Sequence, residues 1–306
     1  MTPLISLVMT TYNREAFLDC AIASVLQQTV SNFELLVWDD GSTDGSVELA
    51  QAYAQQDKRV RVVAAAHQGR VKALTAAIAQ TQGKYLGFVD SDDWLAPTAL
   101  EETVRVLEAQ PAVGMVYTDY YETDAQGKVL QYGQRCRIPY SPERLLVDFM
   151  TFHFRLLRRS PYDQVGGIKD SLDFVEDYDL CLRLSEVTQF ERVRKPLYFY
   201  RIHAHNASRE LQVEQTLRTH WILEQALRRR GMADTHAIDL DLPAGRFTLR
   251  KKEAGVDSSQ VKPSCDFGSQ YVQEAGEIQA LGGNPPKPPE LRGRRRPPNP
   301  LPKELR

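Results

Sequence analysis

The chain has 306 residues, 42% of them hydrophobic and 25% charged, with 38 Lys and Arg against 40 Asp and Glu. That balance excludes a basic nucleic-acid-binding body, and the length fits one large domain or two small ones whose core needs no disulfide staples. The four cysteines, Cys20, Cys136, Cys181 and Cys265, form no CxxC pair or zinc spacing. No apolar run reaches membrane-spanning length and no cationic leader opens the chain, so the expectation is a reduced, cytoplasmic protein.

The first 120 residues alternate two patterns. Short β-branched or aromatic runs at Leu4–Met9, Phe33–Trp38, Val60–Ala64, Tyr85–Val89 and Val113–Tyr117 read as strands. Between them, Phe17, Ala21, Ile22, Val25 and Leu26 form one helical stripe, Val47, Ala50 and Ala54 a second, and Val71, Leu74 and Ile78 a third. Strand–helix alternation of this kind builds a parallel α/β sheet flanked by helices, with the strand C-terminal ends sharing one ligand-binding edge.

The second half is less regular. Tyr120–Tyr132 reads as a hairpin turning at Asp124 and Gly127, and Phe149–Leu157 as a strand. Glu176–Glu186 has helical spacing, Phe190–Tyr200 is strand-like with Pro196 demoting part of it to an edge, and Ala207–Arg230 is a long helix. From Pro285 to Arg306 seven basic residues face two acidic ones among eight prolines, a local +5 that leaves −7 on the preceding residues. Proline at that density blocks helix and sheet, so this segment is expected to be disordered and everything after about Gly245 poorly structured. A solvated tail is the plain reading; peripheral contact with acidic lipid through Arg292–Arg296 is the alternative.

Two acidic clusters fall where the fold binds ligands. Asp39-Asp40-Gly41-Ser42-Thr43-Asp44-Gly45 follows the second strand, and Asp90-Ser91-Asp92-Asp93 follows the fourth. Helix capping by Ser42, Asp44 or Asp93 is the ordinary explanation. In extended chain, however, Asp90 and Asp92 share a face, and clustered carboxylates call for a cation. Mg²⁺ or Mn²⁺ suits oxygen ligands shared with phosphates, and neither a Walker loop nor GxGxxG is present.

Val8–Arg14, Ser24–Thr29, Asp39–Gly45 and Gly83-Lys84-Tyr85 with Asp90–Asp93 together resemble the successive signatures of inverting family-two glycosyltransferases with the GT-A fold, a Rossmann-like nucleotide-diphospho-sugar transferase fold. The resemblance continues through Val165-Gly166-Gly167, Glu176–Leu180 and Tyr200–His203, covering roughly residues 3–206. It implies a donor-binding half at 1–110, an acceptor-binding half at 111–230, and a low-order tail at 231–306. By the same resemblance Thr10, Tyr12 and Asp40 hold the donor nucleotide, with UDP the default base and phosphate. Asp92 binds the metal, Mn²⁺ or Mg²⁺, with Asp90 beside it, and Asp177 is the general base. Arg70 and Lys72 are candidate phosphate neutralisers; Glu176, Arg201 and His203 are candidate supporting residues. Thr75 stands where many members carry asparagine.

The implied reaction transfers a sugar to a saccharide or lipid-linked acceptor hydroxyl with inversion, in polysaccharide or glycolipid synthesis, without nucleic acid and with peripheral contact at the inner membrane face as an option. A sugar-nucleotide nucleotidyltransferase would carry a Gly-rich loop where this chain has Thr10-Thr11-Tyr12-Asn13, and a non-catalytic binding module would not need Asp40, Asp92 and Asp177 together. Outside that set, His153 in Phe152-His153-Phe154 reads as a structural histidine or an acceptor contact. The pair His203 and His205 makes a weak zinc motif. Tyr117, Tyr120 and Tyr121 read as sugar-stacking or as core.

Overall fold

A computed structural model describes residues 3–204 and 212–252. The five early runs become β1 (Ile5–Thr11), β2 (Phe33–Asp39), β3 (Val60–Ala64), β4 (Tyr85–Phe88) and the start of β6 (Val113–Thr123). The helices between them are α1 (Glu15–Leu26), α2 (Ser46–Gln56), α3 (Arg70–Ala79) and α4 (Ala99–Ala109), and a two-residue β5 (Trp94–Leu95) precedes α4. Then come β7 (Val129–Tyr132), β8 (Arg155–Arg158), α5 (Arg159–Gln164), α6 (Glu176–Leu184), β9 (Gln189–Arg201) and α7 (Gln212–Arg229). The last elements are β10 (His236–Asp241) and β11 (Arg246–Lys251).

The main sheet runs β3-β2-β1-β4-β8-β6-β9-β5, with β7 beside β6. β1, β2, β3 and β4 pair in parallel, as do β6 and β9, while β8 joins the two halves antiparallel to both β4 and β6. Period-two alternation sorts the strand side chains onto two faces. Ile5, Leu7 and Met9 pack with α1, α2 and α4 in one core, and Val8, Leu36, Trp38 and Leu86 pack with α3, α6 and α7 in the other. Leu7 and Leu86 are fully buried, so truncating either to alanine costs about 2–5 kcal/mol. This is the GT-A architecture expected, and it sets the ends of β1, β2 and β4 side by side.

Two elements depart from expectation. Of the Phe149–Leu157 run only residues 155–157 are strand, within β8. The preceding residues form a loop: Phe149 stacks on Tyr178 of α6 at 4.3 Å, and the Phe154 N–H donates to the Thr118 side chain of β6 rather than to a strand carbonyl. As read, part of β9 is an edge: away from β6 it pairs only at Tyr198 and Phe199, with β5, and its register against β6 shifts around Asp119, opposite Pro196, where a proline is tolerated. Regular structure also continues past Gly245: β10 and β11 form an antiparallel hairpin whose Ile238 joins the α7 core. The hairpin at Asp124–Gly127 forms as read, between β6 and β7.

Cys20, Cys136 and Cys181 are free thiols. No helix among the described residues is long and apolar enough to cross a membrane. Cys265, His205, Leu211 and the Pro285–Arg306 segment lie outside the described residues.

Candidate active site

The chain leaves β1 and β2 in adjacent turns that are laced together. Ser42 Oγ accepts the Asn13 N–H at 2.9 Å, Asn13 Oδ1 accepts the Thr43 N–H at 2.8 Å, and Ser46 Oγ accepts the Arg14 N–H at 2.9 Å. Asp44 Oδ2 takes the Glu15 N–H at 3.1 Å, and Glu15 returns a carboxylate oxygen to the Gly45 N–H. Asp44 therefore ties two turns together as well as binding Ser46. Gly41 has φ +83°, and a Cβ there would meet the His67 nitrogen at 2.8 Å, so glycine lets the β2 turn and the 66–69 loop touch.

That contact organises Asp40. Its two carboxylate oxygens accept the Gln68 and Gly69 N–H groups, each at 2.9 Å, and the side chain is 2% exposed. Asp39 shapes the turn instead, taking the Gly41 and Ser42 N–H groups on Oδ1. His67 lies 2.9 Å from the Asp40 carboxylate and stacks on Tyr12, ring centroids 4.4 Å apart; Tyr12 is 43% exposed. An exposed aromatic face beside a carboxylate is suited to a flat heterocycle with an N–H donor. Thr10, half-buried, sits opposite Trp38 in the β1–β2 ladder.

Asp90–Asp93 is not extended. The Asp93 N–H bonds to the Asp90 carbonyl, closing a turn that sends the Asp90 and Asp92 carboxylates to different partners. Asp90 and Asp92 therefore do not share a face, contrary to the i, i+2 reading. Asp90 faces Arg70 at 3.0 Å and His153 at 3.5 Å, whereas Asp92 Oδ2 faces His203 Nε2 at 3.0 Å and Arg14 Nε at 3.2 Å. Burial works to raise the Asp92 carboxyl, but the His203 hydrogen bond and the Arg14 charge outweigh it and hold it below the usual range. Asp93 caps no helix: it accepts Tyr198 O–H and Arg201 N–H at 2.7 Å each, and burial next to Asp92 and Asp90 raises its carboxyl well above normal.

Across the edge, α6 begins at Glu176 and Asp177. Glu176 is 1% exposed and bonds to Arg70, which also holds Asp90. Burial lifts the Glu176 carboxyl to about 7 although Arg70 pulls it down. Asp177 lies 3.0 Å from Arg155, and although burial raises its carboxyl, Arg155 and Arg70 carry it below the usual range. Arg155 is itself buried, donating also to the Thr151 carbonyl. These side chains line one recess of about 390 Å³, counted with its solvent-open mouth, together with Leu74, Phe88, His153, Leu157, Ile168, Leu180 and Cys181.

Of the expected residues, Arg70, Asp90, Glu176 and Asp177 share this recess. Asp40 and Asp92 do not line it; they stand beside it, Asp40 through the Gln68-Gly69-Arg70 segment and Asp92 through the Asp90 turn. Lys72 is exposed on α3. Arg201 spends its guanidinium on the Asp92 and Ala125 carbonyls and over the Trp94 ring. Thr75 Oγ1 bonds the Val71 carbonyl within α3, and Tyr117 and Tyr120 are buried. Sequence reasoning gave no role to Arg14, His67 or Arg155. Arg14 closes a quoted motif and His67 follows an alanine run, but Arg155 gains its meaning only when β8 packs on α6.

Asp92 and His203 offer a carboxylate and an imidazole nitrogen on converging, largely buried side chains. Among the described residues no third His, Cys, Asp or Glu completes a closed cage. That donor set fits a divalent cation that fills its shell with water and phosphate oxygens.

The sequence model of the family described as Glycosyl transferase family 2 matches residues 6–166. Chondroitin synthase of Escherichia coli is 31% identical over 206 residues, 67% of this chain but only 30% of the synthase, so the chain spans under a third of that relative. In fold, the chain is similar to S. aureus TarS 1-349 in complex with UDP-GlcNAc, with a TM-score of 0.59, 16% identity, and coverage of 75% of this chain and 72% of that one. It is also similar to the mannosyltransferase PcManGT from Pyrobaculum calidifontis in complex with GDP-Man and Mn²⁺, with a TM-score of 0.57, 16% identity, and coverage of 75% and 64%.

Proposed function

Because the chain belongs to glycosyl transferase family 2, we propose that it transfers a sugar from a nucleoside-diphosphate donor, by default a UDP-sugar, to an acceptor hydroxyl with inversion. The acceptor in this reading is a growing saccharide or a glycolipid. The observation that carries it is the convergence of an ionised carboxylate, Asp177, with the donor-side pair Arg70 and Asp90 in one recess beyond the end of β4.

The chain's own groups then divide the work. Tyr12 presents its face to the base, and Asp40, whose Oδ1 retains a lone pair after binding the Gln68 amide, accepts the base N–H. Thr10 lines the same edge, and Arg70, bonded to Glu176 and Asp90, adds its positive charge beside the phosphates. Asp92 and His203 would hold the Mg²⁺ or Mn²⁺ ion. When bound, that cation offsets the negative charge gained by the departing diphosphate. Asp177 takes the proton from the attacking acceptor hydroxyl, and because attack comes opposite the leaving group, no enzyme nucleophile is needed. Arg155 keeps that carboxylate ionised and directed, and Glu176 holds Arg70 in place.

The experiment is a donor screen. The chain with UDP-sugars and Mn²⁺ should release UDP slowly alone and faster with a saccharide acceptor. Pyrophosphate-dependent turnover would instead identify a nucleotidyltransferase, and nucleotide binding without turnover a binding module.

A further inference from the structure

We propose that the recess beside Asp177 receives the donor's glycosyl unit as an uncharged group, and that His153 reads one of that unit's hydrogen-bond donors. The inference rests on the transferase reading above and names its substrate class.

Two buried side chains lining the recess each leave a polar atom without a partner: His153 Nδ1 and Glu176 Oε2, on residues 6% and 1% exposed. Buried polar atoms are nearly always satisfied, so a pair of orphans in one recess marks a place where a ligand completes the bonding. His153 Nε2 is 3.5 Å from Asp90 Oδ2, which favours the tautomer protonated on Nε2 and leaves Nδ1 as an acceptor. A sugar hydroxyl or acylamino N–H is the matching donor. Tyr198 stacks on the imidazole at 4.8 Å and fixes its plane.

Charge decides between neutral and acidic sugars. Three carboxylates, Asp90, Glu176 and Asp177, line the recess, and its two arginines already hold them. Burial pushes the His153 imidazole down to about 4, so it brings no positive charge at neutral pH. A uronate carboxylate entering here would meet like charge with both lining cations spoken for. Arg70 and Asp90 reach the recess from the half that carries Asp40, and His153, Arg155, Glu176 and Asp177 from the other, so the recess lies where the donor's sugar would meet the base.

The test compares UDP-glucose, UDP-galactose and their 2-acetamido counterparts with UDP-glucuronate and UDP-galacturonate, following UDP release with Mn²⁺ and UDP binding by calorimetry. A neutral donor should exceed its uronate partner at least tenfold in kcat/KM. His153→Phe, which keeps a flat ring, should lower kcat/KM for that donor about tenfold with UDP affinity unchanged, and His153→Asn, which keeps an acceptor, should lose less. A preferred uronate, or a His153→Phe effect confined to acceptor KM, overturns the proposal while the transferase reading stands. No turnover and no UDP binding overturns both.

Discussion

Glu176 and Asp177 are neighbours in sequence yet are held by different arginines, Glu176 by Arg70 and Asp177 by Arg155. Their proton affinities part accordingly: burial lifts Glu176 to about 7, while the two arginines take Asp177 below the usual carboxylate range despite its burial. Pushed apart in this way, the two acids leave Asp177 as the one fully ionised and free to accept a proton near neutrality.

Arg155 should therefore act through Asp177. In Arg155→Met the Asp177 carboxyl loses its nearest cation, burial dominates, and its pKa rises. The acid limb of the kcat profile should move to higher pH, with kcat down about tenfold or more near neutrality and UDP affinity retained. Arg155→Lys should restore part of the shift. A uniform loss with an unmoved acid limb would show that Arg155 only supports the fold.

Stability should carry opposing pH slopes from Glu176 and His153. Glu176 binds its proton more tightly folded than unfolded, so its contribution is full below its unfolded pKa near 4.5 and is lost as pH rises through about 7. His153, depressed from 6.5 to about 4, contributes fully above 6.5 and loses that as pH falls toward 4. Each slope is worth up to about 3 kcal/mol at full extent. Glu176→Gln should leave a melting temperature that falls steeply from pH 6.5 toward 4. His153→Phe should leave one that falls as pH rises from 4.5 to 7. Identical profiles in both variants would contradict these environments.

Much of this was legible in the sequence. Apolar runs of strand length alternating with helical stripes gave the parallel half of the sheet, and the acidic clusters lay at strand ends because turns there need Asp, Ser and Gly. The Asp90–Asp92 relationship was misread because a turn bond from the Asp93 N–H to the Asp90 carbonyl, invisible in the spacing, overrides extended geometry. Pro196 was read correctly, since β5 covers only Tyr198 and Phe199 of β9 and leaves the proline's segment with one partner strand. Arg155 and His153 become informative only through packing of the 149–158 segment on α6 and on the Asp90 turn, contacts long in sequence that no local pattern encodes.

Removing the cation should separate Asp92 and His203 from the recess residues. Chelation should cut transfer at least a hundredfold, and Asp92→Asn or His203→Asn should raise the Mn²⁺ concentration for half-maximal activity about tenfold or more. Full activity in chelator would exclude this role for the pair.

Tyr12 is the exposed platform of the nucleotide edge. Tyr12→Ala should weaken UDP binding about tenfold, the scale of one base stacked on an aromatic ring, and leave thermal stability within about 0.5 kcal/mol. Equal affinities measured by calorimetry would place the base elsewhere.

The most direct measurement is acceptor-dependent sugar transfer by Asp177→Asn alongside its UDP affinity with Mn²⁺. The amide matches the carboxylate in shape but accepts no proton, so turnover should fall by about 10²–10⁴ with nucleotide binding intact. Turnover within a few-fold of the unsubstituted chain, with binding intact, would contradict the assignment of Asp177 as the base.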